Sequence, residues 1–84
     1  MTRRSHLEIV ADILMVALNG ANKTRIIYRA NLNFLRFHTY FSKLSDNGLI
    51  AREDSSDGRV VYRTTDKGRR FLNIINSAEE IISS

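Results

Sequence analysis

Between Thr24 and Ile50 the chain carries two apolar helical stripes joined only through "ANLN". The first stripe is Ile26, Ile27 and Ala30; the second is Phe37, Tyr40, Phe41 and Leu44. Steps of three and four residues put each set on one face of a helix. With so short a connection, the two helices share one apolar corner. Whatever else the chain folds must close over that corner.

The flanks punctuate the same segment. Thr24 is the expected cap of the short helix, and Arg25 to Ala30 its body. Leu32 plugs the turn from inside. Asn33 is a good N-cap for a helix from Phe34 to about Asp46, and "DNG" ends that helix with Gly48 just past it. Upstream, Leu7, Val10, Ile13, Leu14, Ala17 and Leu18 mark a helix from about Arg4 to Leu18. Ser5 and Glu8 have capping-box spacing at its start, and "NGAN" closes it at Gly20. Downstream, "LIARED" and "RVVYRTT" read as two strands around an "SSDG" hairpin loop with Gly58. A last helix follows from Asp66 to about Ile82, capped by Thr65. The expected fold is mainly α with a β-hairpin, in the order helix, short helix, helix, strand, strand, helix. It is one domain over residues 1–84.

Composition sets the class. Eighty-four residues with 43% apolar and 26% charged make one small globular domain. There is no cysteine, which excludes disulfides and thiolate metal sites and fits a reducing, cytoplasmic setting. No apolar run reaches the length of a bilayer span. The start, "MTRRSHLEIVADILMVAL", has basic residues before apolar ones, as a signal peptide does. Glu8 and Asp12 interrupt the apolar part at helical spacing, so it reads as a helix of the mature protein.

The net charge is +4, and its distribution says more than its size. No acidic residue lies between Asp12 and Asp46, while Lys23, Arg25, Arg29, Arg36 and Lys43 all do. Acids return at Asp46, Glu53, Asp54 and Asp57. A window of one sign in a chain of mixed sign is the footprint of a polyanion partner. Catalytic and metal patterns are missing. His6 and His38 are far apart, no HxxxH or HxxE spacing occurs, and the glycines mark element ends rather than a phosphate loop. The chain is not read as an enzyme, and no cofactor or small-molecule effector is visible.

A short helix, a tight turn and a second helix make the DNA-binding helix-turn-helix, and a hairpin directly after them makes it the winged variety. Here "KTRIIYRANLNFLRFHTYFSKLSDNGLI" and "YRTTDKGRRFL" resemble the small winged-helix transcription regulators widespread in archaea. The match runs through Lys23, Thr24, Arg25, Ile26, Ala30, Asn31, Leu32, Asn33, Phe34, Tyr40, Leu44, Gly48, Leu49, Ile50, Thr65 and Gly68. The resemblance implies a DNA-binding homodimer, cytoplasmic and nucleoid-associated. Some members of that family pair much longer final helices as an antiparallel coiled coil; here only a shorter helix pairing fits.

The helical wheel sorts the long helix of this motif. Phe37, Tyr40, Phe41 and Leu44 form the core face, so most of the aromatics are core. Asn33, Arg36, His38 and Thr39 are the candidates for base edges, Arg36 as a bidentate donor to guanine. Lys23, Arg25, Arg29, Ser42 and Lys43 are candidates for phosphate, with Arg25 and Arg29 one turn apart on one face. Leu35 projects outward: it touches a thymine methyl or is covered by the preceding turn, and the second is expected. Phe34 is expected to close the turn against Ile27 or Leu32. Arg52, Arg59 and Arg63 are the candidate wing contacts, opposed by Glu53, Asp54 and Asp57. Arg69 and Arg70 serve phosphate, pair with acids of the wing, or lie on a solvated face. Phe71, Ile74, Ile75, Ala78, Ile81 and Ile82 make a stripe longer than one shallow core needs, so residues 66–83 are expected to form a homodimer helix. The alternatives are a low-specificity chromatin-type DNA binder and a protein-interaction module on the same scaffold.

Overall fold

The computed structural model describes residues 4–83; the first three positions and the last position of the expected domain lie outside it. The order is α1 (His6–Val16), α2 (Lys23–Arg29), α3 (Phe34–Asp46), β1 (Ile50–Asp54), β2 (Val60–Thr64) and α4 (Asp66–Ser83). This is the expected architecture of four helices and one hairpin.

The helix starts follow capping chemistry. Ser5 and Glu8 complete the capping box at α1, each bonding the other's backbone N–H. Asn33 accepts from the Arg36 amide and starts α3. At α2 the cap is Asn22, whose side chain accepts from the Arg25 amide at 2.8 Å, and not Thr24. Both residue types cap well. Asn22 prevails because it is the residue with extended backbone, which lets its side chain turn back onto the first turn.

The core gathers Ile9, Ile13 and Leu14 from α1, Ile26 from α2, and Phe37, Tyr40, Phe41 and Leu44 from α3. Leu49, Ile50 and Tyr62 from the wing join it, as do Leu72 and Ile75 from α4. Phe37 is fully enclosed. β1 and β2 pair antiparallel, with Arg52 opposite Tyr62. A third, one-residue strand joins them, because Ala21 exchanges both backbone hydrogen bonds with Tyr62 at 2.8 and 2.9 Å. Thr64 then ties β2 to the end of α1: its hydroxyl donates to the Leu14 carbonyl at 2.7 Å and its amide to that of Ala17 at 3.0 Å. The wing is therefore held to the body at two points.

The start of α4 is packed backbone to backbone. The Thr65 hydroxyl accepts from the Gly68 amide and donates to the Gly48 carbonyl. The Thr65 amide donates to the Leu49 carbonyl at 3.1 Å. A Cβ at Gly68 would lie 2.2 Å from that same Leu49 oxygen and 2.7 Å from the Thr64 methyl.

The radius of gyration is 13.0 Å, against about 12 Å for a compact chain of this length. The longest dimension is 46 Å. Beyond Ile75, every α4 side chain from Asn76 to Ile82 is exposed. The 18 residues of α4 span about 27 Å, so the helix extends well past Ile75, its last buried residue.

Gly68→Ala is expected to lower unfolding stability by about 1–3 kcal/mol, the usual range for overpacking a tight contact. Gly58→Asn should cost less than Gly68→Ala, because space is open there and asparagine bears positive φ with less strain than other side chains. Urea midpoints of the two variants check both.

Candidate nucleic-acid interface

The site is the face of α3 turned away from the core. Leu35, Arg36, Thr39, Ser42 and Lys43 are exposed on it, and Arg25 and Arg29 are exposed on α2 beside it. Among the described residues, none of these four cations takes part in an ion pair. Asp46 is exposed at the far end of α3 and marks where the one-signed surface stops.

Several expected contacts are modified by their surroundings. Asn33 spends its side-chain oxygen on the Arg36 amide, which leaves its amide group for any outside partner. His38 is half-buried, with ring centroids 4.4 Å from Phe34 and 5.5 Å from Phe37. Phe34 is exposed and meets His38 edge-on, where closure of the turn on Ile27 or Leu32 was expected. The Thr39 hydroxyl donates to the Leu35 carbonyl at 3.1 Å. Leu35 is 80% exposed, so the preceding turn does not cover it. Turning right-handed from Asn33, the helix carries its second residue away from the chain that led in.

Lys23 is half-buried, and its ammonium lies 5.7 Å from the centroids of both Phe41 and Tyr62. That places a cation over the aromatic joint between α3 and the wing. Sequence reasoning missed Arg4. Its guanidinium bonds Asp12 at 2.7 Å and reaches the carbonyls of Ala30 and Asn31 at 2.7 and 3.0 Å, satisfying the C-terminal end of α2. Asn31 has φ of 55°, the left-handed residue that turns the chain from α2 to α3. Nothing in local sequence signals a contact spanning 26 residues.

A sequence model of the winged helix-turn-helix matches residues 3–83, nearly the whole chain. The chain belongs to the winged helix-turn-helix family. It is 30% identical over 83 residues to an uncharacterized protein of Methanocaldococcus jannaschii, covering 98% of this chain and 80% of that one. Sso10a-2, a DNA-binding protein from Sulfolobus solfataricus, superimposes with a TM-score of 0.84 at 29% identity. That match covers 95% of this chain and 83% of Sso10a-2. The transcriptional repressor CouR, solved on a 23-mer DNA duplex, shares the fold at a TM-score of 0.72 and 24% identity. That likeness covers 93% of this chain and 56% of CouR.

In this winged helix the wing is locally neutralised. Arg52 pairs with Asp54 at 2.9 Å, Arg59 with Asp57 at 3.3 Å, and Arg63 with Glu53 at 2.9 Å. Hydrogen bonds from the Ser55 hydroxyl and the Arg59 amide lower the Asp57 carboxyl from its usual value by favouring its charged form. The Asp54 carboxylate raises the Arg52 guanidinium above its usual value. Such exposed pairs are weak enough to exchange for a stronger anion. Arg59 has the most exposed side chain of the three, while the Arg63 guanidinium lies back against the α1–α2 turn, 3.1 Å from where a Cβ on Gly20 would stand.

The expected dimer stripe divides. Ile75 is 3% exposed and Phe71 is half-buried against the core, so both are used within the chain. Ile74, Ala78, Ile81 and Ile82 are exposed, and α1 leaves Leu7 and Met15 exposed as well. Arg69 and Arg70 are exposed near the start of α4. Among the described residues, no cluster of three metal-ligating side chains occurs, and no helix is long and apolar enough to cross a membrane.

Proposed function

We propose that this chain is a DNA-binding transcription regulator that works as a homodimer and sets α3 in the major groove of a twofold-symmetric site. The observation that carries the reading is the outward face of α3. It is exposed, rich in small residues and free of acid from Asn33 to Ser45. It is also flanked by four cations with no protein partner among the described residues. The likeness to Sso10a-2, itself a DNA-binding protein, supports it.

The roles follow from position. Arg36 reaches a base edge, with Asn33, His38 and Thr39 around it. Arg25, Arg29, Ser42 and Lys43 take phosphates on either side of the groove. Arg59 follows the flanking backbone once Asp57 releases it. Lys23 stays on the aromatic joint and adds charge from behind. The dimer rests on Ile74, Ala78 and Ile82, which recur at four-residue steps along α4. Ile74 and Ile82 are 64% and 83% exposed in one chain. Burying each is worth about 1.5–3 kcal/mol. A twofold axis through this helix would carry two copies of α3 to one duplex.

Arg25→Ala is expected to weaken binding equally on all duplexes and to lower the salt slope by about one. Arg36→Ala is expected to change sequence preference. Gel retardation across salt concentrations, on random and on selected duplexes, reads both effects. Binding with no sequence preference would favour the chromatin-type alternative. No retardation at low salt would favour the protein-interaction module.

Sedimentation equilibrium at micromolar concentration should give twice the 9.6 kDa chain mass. Ile82→Glu should give the monomer with unchanged helix content. A monomeric parent chain would contradict the dimer.

A further inference from the structure

From Phe34 to Ser45 the centre line of the outward face of α3 carries no charge. At 100° per residue, the buried face of α3 (Phe37, Tyr40, Phe41 and Leu44) has a mean direction about 170° away from Leu35. Thr39 and Ser42 lie about 150° from it, one on each side of Leu35. Arg36 and Lys43 stand on one edge of this stripe and His38 on the other. Asp46 has nearly the same direction as Leu35 but stands at the last residue of the helix, so before that end the part of α3 that faces a groove most directly is Leu35, Thr39 and Ser42.

Two observations give that stripe its chemistry. Leu35 is 80% exposed, an apolar side chain at the point furthest from its own core. The Thr39 hydroxyl donates its proton to the Leu35 carbonyl at 3.1 Å, which leaves an acceptor oxygen and a methyl group, and no donor, for an outside partner. Leu35 and Thr39 are one turn apart and present a continuous apolar strip. Arg36 and Lys43 line one edge of the strip, and Asp46, at the far end, is the one acid on α3. An apolar partner protein would gain nothing from such a rim. A polyanion with apolar groups set deep in its groove matches it, and the apolar group that duplex DNA shows in the major groove is the 5-methyl of thymine.

We infer that Leu35 and the Thr39 methyl read thymine 5-methyl groups, so that the chain selects thymine-bearing steps by apolar contact beside the hydrogen bonds of Arg36. This rests on the DNA-binding reading above and names the base that its central residues recognise.

The test uses the full chain with two duplexes of the same adenine–thymine-rich sequence. One is made with thymine and the other with uracil, which pairs identically but lacks the methyl. The parent chain should bind the thymine duplex more tightly, by about fourfold for each methyl buried. Leu35→Ala keeps an exposed helix position in a good helix former. It should bind the thymine duplex less tightly and show a smaller difference between the two, the remainder being the Thr39 methyl's share, with the salt slope unchanged. Equal binding of both duplexes by the parent chain would overturn the inference while leaving DNA binding intact. So would full discrimination in Leu35→Ala. Failure to bind either duplex at low salt would overturn the DNA reading and this inference together.

Discussion

The edge-to-face contact of Phe41 with Tyr62, centroids 4.7 Å apart, is the joint on which the rest of the molecule turns. Phe41 belongs to α3 and stacks on Phe37 at 5.0 Å, deep in the core. Tyr62 belongs to β2, and its backbone pairs with Ala21 ahead of α2. One contact thus relates α3, the wing and the entry to the helix-turn-helix. Such an aromatic pair adds about 0.5–1.5 kcal/mol beyond area burial. Its larger effect is on orientation. With Phe37, Tyr40, Phe41 and Leu44 fixed inward, the helix has no freedom to roll, and Leu35, Thr39 and Ser42 must face out.

A second joint sets the direction of α4. The turn after α3 lays the Leu49 carbonyl against the first turn of α4, where only a glycine leaves room. Thr65 bonds both sides of the contact. Lys67 adds its ammonium to the Asn47 carbonyl at 2.8 Å. The "GLI" and "T-x-x-G" stretches, distant in sequence, are two halves of one backbone contact. Because this contact aims α4, it also decides where a partner chain would be met relative to α3.

Much of this was legible in the sequence because periodicity and capping are local. The bounds of α3 came from Asn33, Gly48 and the four-residue apolar set, and the Ser5–Glu8 box announced α1. What was not legible depends on distance or on choices between equals. Thr24 and Asn22 are both good caps, and only backbone conformation separates them. Ala21 pairs as a single residue, which has no period to detect. Arg4 reaches across 26 positions to close α2. The α4 stripe was visible as a whole. A wheel sets Ile74 and Ile75 about 100° apart, but which of the two directions the rest of the domain covers is a matter of tertiary packing. Leu35 was misplaced because a wheel gives direction but not cover.

The central claim is that the outward face of α3 meets duplex DNA while the aromatic face keeps it oriented. The most direct measurement is an amide NMR titration of the intact chain with a short duplex. The account predicts the largest shifts over residues 33–43 and 24–29, with residues 76–82 little changed. Shifts confined to α4, or a silent α3 in a chain that binds the duplex, would contradict it.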